Sequence, residues 1–384
     1  MNALFLAFAH LRWTWARSLV LILVGALILA VPMVTQTLLR GSEEALTRRA
    51  EATPLVLGAR GSQLDLVMGA VYFSEDRAQP ITRAAEDAVW DSGLGLPIPL
   101  NTAFQTNGAR IVGTSLDYFD FRGLTLAEGR QMAILGEAVL GADVAKRLAL
   151  GPGDTVVSAP ENLFDLDGVY PLELQITGVL EPTGTPDDEA VFTDVKTAWV
   201  IAGIGHGHDD VVTADADGNV TANAAITEFQ RITPENIDSF HFHGAARDYP
   251  LSAVIVAPYD TRSGTILRGR YLDPENPVQL TDPSEVIAGL VDRIFRIAAL
   301  LDAVTVIIGI AALGAIGLSL FLAWSLRAPE MLTARRLGAG RFTILRLATA
   351  EIAILLSCAM VLAAGIVLVV NANGDQLVAW LLAF

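Results

Sequence analysis

Cysteine and lysine are nearly missing from this 384-residue chain. The one cysteine is Cys358, so no disulfide can close within a single chain. The two lysines, Lys146 and Lys196, follow Ala145 and Val195. A phosphate-binding loop G-x-x-x-x-G-K-[ST] needs glycine before its lysine, so this sequence carries no such loop. His-Glu-x-x-His is also missing, which removes the commonest zinc-hydrolase motif. Asp215-Ala216-Asp217-Gly218-Asn219 lacks the spacing and closing Glu of a calcium loop and reads as a turn. Acidic residues are lacking from one part of the chain, since all 42 Asp and Glu lie beyond residue 40.

What is present is apolar sequence in three long runs, residues 18–39, 297–324 and 347–370. Each reaches the roughly 20 residues that cross a bilayer core as a helix. Arg12 and Arg17 precede the first run, and Arg327, Arg335, Arg336, Arg341 and Arg346 crowd the short link between the second and third. Short loops rich in Lys and Arg stay cytoplasmic, so the roughly 250-residue insert between the first two runs is predicted to face outward. The first run exceeds a signal-peptide core and lacks a small-x-small cleavage site. It reads as a retained helix with Pro32 as a kink.

Residues 40–290 hold 37 Asp and Glu against 17 Lys and Arg, a formal net charge of −20. A surface so acidic excludes nucleic acid, which requires a basic footprint; it suits a solvent-facing domain or one that handles cations. Residues 40–52 continue the helical pattern of the first run, with Glu44 and Arg48 at i,i+4 spacing. Asp282-Pro283-Ser284-Glu285 has the form of a helix start, Asp as cap and Pro at the first position. Val286, Ile287, Leu290, Val291 and Ile294 then recur at helical spacing. Two membrane helices are thus expected to extend into a stalk, 40–52 and 284–296. Within the insert, residues 54–59, 64–72, 109–112, 133–135, 155–157, 172–179 and 253–257 read as strands; residues 80–91 and 139–148 read as helices. Such interleaving predicts an α+β domain, in one lobe or two.

The cytoplasmic link carries an ordered set of residues: Glu330, Met331, Leu332, Arg335, Arg336, Leu337, Gly338, Ala339 and Arg341, followed by Glu351. It resembles the coupling segment of the MacB/LolC/FtsX family of ABC-transporter permeases. Val112-Gly113-Thr114-Ser115-Leu116-Asp117-Tyr118-Phe119, Glu128-Gly129-Arg130, Gly136-Glu137-Ala138-Val139 and Gly151-Pro152-Gly153-Asp154 are similar to that family's periplasmic core domain. The resemblance implies a three-span inner-membrane protein of bacteria with a large α+β extracytoplasmic domain. Its layout would be an N-terminal interfacial helix 1–17, spans 18–39, 297–324 and 347–370, a periplasmic domain 40–283, a coupling segment 325–346 and an outer or interfacial tail 371–384. It further implies a non-catalytic subunit that works with a separate ABC ATPase binding ATP and Mg, with a second permease chain, identical or different, and with membrane lipids. The substrate would be a lipoprotein, peptide, drug or metal-linked cargo; the alternatives are an FtsX-like scaffold that activates a periplasmic partner and, on the histidines described next, zinc sensing or handling by the outer domain. The family pattern has a fourth span, which residues 371–384 are too short to supply.

Four of the five histidines form two His-x-His pairs, His206/His208 and His241/His243. Residues two apart on a strand share a face, and Phe240 and Phe242 alternate with His241 and His243 as a strand requires. Converging neutral imidazoles suit zinc. The other reading is surface histidines in a polar loop and a half-buried strand. Asp302 and Glu351 are ionisable residues inside the second and third runs, where charge is costly and marks function or reaches the interface.

Overall fold

The structure, a computed structural model, describes residues 3–74, 78–159, 171–207, 212–214, 220–222, 230–326, 333, 336 and 341–374. The chain divides into two compact units, Met1–Ala45 with Leu290–Phe384, and Leu46–Gly289.

The first unit is helical. Three helices among the described residues are long and apolar enough to cross a membrane, with candidate spans Trp15–Glu51, Pro283–Ala315 and Thr349–Ala372. The first is a single helix that includes Pro32, and a short helix, Ala3–Trp13, precedes it. The third apolar run lies in a helix, Arg341–Ala372, that begins inside the expected link. Ala26 and Ala30 of the first long helix are buried with Ala359 and Ala363 of the last. Small side chains let two helix backbones approach, and packing of this kind holds helices together in lipid, where no hydrophobic drive exists. A methyl group added at Gly25 would lie 3.2 Å from the Ala359 Cβ. Cys358, next along that helix, is exposed.

The second unit is built on an eleven-stranded mixed sheet. Nine strands run across it in the order Gln230–Arg231, Leu172–Leu180, Glu137–Leu140, Ala190–Asp194, Ala109–Thr114, Gly95–Thr106, Ala253–Pro258, Leu55–Ala59 and Val278–Thr281. Leu126–Gly129 and Thr155–Val157 pair with Leu172–Leu180. The half from Gly95–Thr106 to Val278–Thr281 is antiparallel throughout, whereas the Ala109–Thr114 and Ala190–Asp194 pair is parallel. Two apolar clusters lie along this one sheet, one around Ile111, Leu140, Leu174 and Val191, the other around Leu55, Leu57, Trp199 and Val254. One continuous sheet thus carries both cores.

Leu55–Ala59 and Val278–Thr281 are neighbours, with Val56 opposite Thr281 and Ala59 opposite Val278. The first strand begins four residues after the helix Trp15–Glu51 ends, and the second stops two residues before the helix Pro283–Leu326 begins. That second helix has the predicted start: the Asp282 carboxylate accepts from the Ser284 amide at 2.9 Å and pairs with Arg268.

Several local expectations are corrected. Residues 64–72 are not a strand, because Ser62 caps the amide of Asp65 and opens a helix, Gln63–Val71, that buries Leu66, Val67, Ala70 and Val71. Their spacing fits one helical face, which the apolar content had masked. Residues 133–135 form no strand; the strand is Glu137–Leu140, and the expected helix 139–148 starts only at Ala142. The twelve-residue strand Gly95–Thr106 was missed because Pro97 and Pro99 argue against a central strand.

Candidate functional site

Three of the four paired histidines come together. A short strand, Gly205–His206, pairs antiparallel with His241–Phe242, so that Gly205 faces Phe242 and His206 faces His241. The His243 amide donates to the Ile204 carbonyl at 3.0 Å and extends the pairing. Glycine makes the arrangement possible. A Cβ at Gly205 would stand 2.7 Å from the Phe242 ring, and one at Gly207 would stand 2.6 Å from the Phe240 ring. Phe240 and Phe242 pack against the core, with Phe242 edge-on to Trp199 at 6.5 Å. Alternation then carries the histidines to the opposite side. The ring centres of His206, His241 and His243 form a nearly equilateral triangle with sides of 5.0, 4.8 and 4.7 Å. One ring nitrogen from each lies within 4.8 Å of the other two. His206 is half-buried and the other two are exposed. His208 lies outside the described residues.

A second constellation was not anticipated from sequence. Arg49, in the last turn of the first long helix, is buried and forms a two-pronged pair with Asp187, at 2.5 and 2.8 Å. It also donates to the Tyr118 hydroxyl at 3.0 Å and to the Val71 carbonyl at 3.2 Å. Tyr118 in turn donates to Asp187 at 2.7 Å. The Tyr72 hydroxyl donates to the Leu46 carbonyl at 2.5 Å. The end of the helix is therefore held from three sides by polar groups. Asp187 is placed by a one-turn helix, Pro186–Glu189, capped by Thr185. The neighbouring Asp188 carboxylate fixes the preceding loop by accepting from the amides of Thr183 and Gly184.

Electrostatics follow from burial and pairing. Burial alone would raise the Asp187 carboxyl pKa, but the bonds from Arg49 and Tyr118 and the charge of Arg122 hold it below the usual carboxylate value. Burial alone would lower Arg49, and Tyr118 with Asp187 outweighs it, so the guanidinium is raised. Burial also pushes the Tyr72 hydroxyl up to about 12. Arg122 is the odd member. Among the described residues its three buried guanidinium nitrogens meet no acceptor in good hydrogen-bond geometry; it lies over the rings of Tyr118 and Phe121 at 5.7 and 5.0 Å, and burial lowers its pKa although Tyr118 and Asp187 oppose this.

In the helical unit, His10 and Glu351 meet at 3.1 Å, which gives the Glu351 position a partner on the N-terminal helix. Asp302 is half-buried. Of the expected coupling residues, Arg336 is helical and exposed. Arg341 opens the last long helix. Glu330, Arg335, Leu337, Gly338 and Ala339 lie outside the described residues.

A membrane protein of three candidate spans, with a mixed α+β domain between the first and second, is the class these features define. The model of the MacB-like periplasmic core domain matches residues 19–232, and the chain belongs to that family. It is a MacB/FtsX-type component of ABC transport, an inner-membrane protein with its large domain outside the cytoplasm. Solved structures similar to it include the periplasmic region of MacB from Actinobacillus actinomycetemcomitans, 12% identical, with a TM-score of 0.35 over 64% of this chain and 97% of that one. Another is the extracellular domain of the noncanonic ABC-type transporter YknZ from Gram-positive bacteria, 11% identical, with a TM-score of 0.33 over 59% and 98%. No curated protein matches the chain.

Proposed function

We propose that this chain is the permease subunit of an ABC system whose ATP hydrolysis is carried out by a separate subunit binding ATP and Mg. The observation that carries the reading is family membership over residues 19–232 in a chain without a phosphate-binding loop. The ATPase docks on Glu330, Arg335, Arg336, Leu337, Gly338, Ala339 and Arg341, and a second permease chain completes the membrane part. The outer domain acts on a substrate already beyond the membrane, of the lipoprotein, peptide, drug or metal-linked kind.

Two features support mechanical coupling. The first long helix ends in the buried Arg49–Asp187–Tyr118 cluster, which fixes that helix end to the domain. The first and second long helices lead into neighbouring strands of one sheet edge, so motion along both reaches the same place.

Affinity purification of the tagged full chain from its native host tests the reading. An ATPase subunit is expected to co-purify with the wild type, and to be lost from the Arg335→Glu/Arg336→Glu variant. Retention of the ATPase by that variant, with unchanged hydrolysis, removes the assigned docking segment; absence of any ATPase from the wild type removes the function. Association with an ATPase and an outer protein partner, with no transported substrate, points instead to an FtsX-like activating scaffold.

A further inference from the structure

We infer that His206, His241 and His243 form a binding site for a divalent transition cation, zinc above all, on the face of the ribbon opposite Phe240 and Phe242. The argument begins with geometry. A zinc-bound imidazole nitrogen sits at about 2.0–2.1 Å, which puts the ring centre about 3.2 Å from the metal, so three tetrahedrally arranged rings stand about 5.2 Å apart. The observed triangle of 5.0, 4.8 and 4.7 Å is close to this in size and nearly equal in its sides. Near-equal sides fit a facial arrangement, three corners around one apex; the ring nitrogens, within 4.8 Å of one another, would close to about 3.3 Å on a tetrahedral ion. A square-planar ion would instead separate one trans pair by about 6.4 Å on the same bond lengths.

Donor chemistry narrows the ion. Three imidazoles with no carboxylate among the described residues of the cluster do not suit calcium or magnesium, which demand oxygen. The only thiol, Cys358, lies in the third apolar run, so a soft sulfur-bound metal is not served either. Neutral nitrogen donors suit zinc and its borderline neighbours. With three ligands among the described residues, the fourth position falls to water or to a further donor.

The fold supports the site in two further ways. Gly205 and Gly207 admit the two phenylalanine rings, and the core contacts of those rings fix the strand register on which the three histidines depend. The surrounding sequence, with its formal charge of −20 over residues 40–290, concentrates cations near the surface. Metal would join strands whose ligands stand 35 residues apart in sequence, so occupancy reports directly on the fold of this part of the domain. The inference stands independently of the ATPase reading.

Metal-stripped full-length protein in detergent micelles, titrated with Zn2+ by calorimetry, is the test. One zinc per chain is expected, saturating at micromolar concentration or below. The His206→Ala/His241→Ala/His243→Ala variant should bind at least about 100-fold more weakly, since losing even an outer partner of a ligand costs 10–100-fold. Two ligands being exposed and one half-buried, the variant should melt like the wild type when metal is absent. Zinc should raise the melting temperature of the wild type alone. Co2+ should give the visible bands of a four-coordinate ion without a thiolate charge-transfer band, and Cys358→Ser should leave them unchanged. His243→Gln alone, the mildest change, should weaken binding while leaving the metal-free protein intact. Equal zinc uptake by wild type and triple variant, saturation only at millimolar zinc, or displacement by Ca2+ would each overturn the inference.

Discussion

Replacing Arg49 by Met removes a cation from a site where its anion stays behind. The Asp187 carboxylate then keeps Tyr118 and Thr185 as donors but loses both guanidinium bonds. Removing one member of a buried ion pair costs about 3–5 kcal/mol. The loss has a ceiling set by chemistry, because the stranded carboxyl can take a proton. With a free pKa of about 3.9 and about 1.36 kcal/mol per pH unit, that escape costs about 4 kcal/mol at pH 7 and about 1.5 kcal/mol at pH 5. In the wild type Asp187 is held below its free value, so it is ionised in both folded and unfolded chains over this range and contributes no pH dependence there. The penalty of Arg49→Met should therefore shrink by about 1.5–2.7 kcal/mol on going from pH 7 to pH 5. At about 2–4 °C per kcal/mol for a unit of this size, melting at pH 7 should drop by roughly 6–16 °C. Thermal unfolding of the full chain in detergent, followed by near-ultraviolet dichroism that includes the buried Trp199, measures this at both pH values. The companion variant Arg49→Met/Asp187→Leu should recover at least half of the loss, since an apolar pair of similar volume is often neutral. An Arg49→Met protein that melts within 2 °C of the wild type at pH 7, or whose deficit is as large at pH 5, would refute the reasoning.

Other outcomes follow from the same physics. Arg122→Met relieves the burial cost of its guanidinium but gives up its ring contacts, worth about 0.5–2 kcal/mol, and its attraction for Asp187; the two sides nearly cancel, and the variant should melt within a few degrees of the wild type in the same assay, far less changed than Arg49→Met. Gly205→Val would place a side chain in the Phe242 ring, destabilise the domain by about 1–3 kcal/mol, and abolish zinc uptake in calorimetry by spoiling the register. Acid should unfold the outer domain below about pH 4: carboxylates held low, Asp187 and Glu137, contribute fully above their free values of about 3.9 and about 4.3 and lose that contribution as pH falls through their folded values. A titration showing the main loss above pH 5 contradicts this. Ala359→Leu should loosen the first and last long helices, read as a lower melting temperature and faster proteolysis of the detergent-solubilised protein; an unchanged digestion pattern rejects the small-residue packing.

The membrane helices and the α+β class were legible because each rests on a strong local signal. Long apolar runs, clustered arginines and the Asp282-Pro283 start need no knowledge of distant contacts. The strands at 55–59, 109–114, 172–180 and 253–258 were equally plain. Gln63–Val71 was misread because nine mostly apolar residues suit a strand as well as a buried helix; only the Ser62 cap discriminated. The histidine cluster was half legible. His-x-His alternation marked one face of a strand, but the meeting of residues 206 and 241 depends on pairing across 35 positions. The Arg49 cluster was invisible for the same reason, magnified. Thr185-Pro186-Asp187 announces a turn, yet nothing local links that turn to an arginine 138 residues earlier.

The adjacency of Leu55–Ala59 and Val278–Thr281 has a mechanical consequence. Because the strands are antiparallel, the start of one and the end of the other lie at the same end of the ladder, and the two long helices join there. Pulling the helices apart would open this ladder like a zipper, one rung at a time from the Val56–Thr281 end, the geometry in which a pair of strands is weakest. Moving them together along their length would load no rung between these two strands and would pass the load in shear to the pairing of Leu55–Ala59 with Ala253–Pro258. This pair of strands is thus strong against a shared pull and weak against splaying.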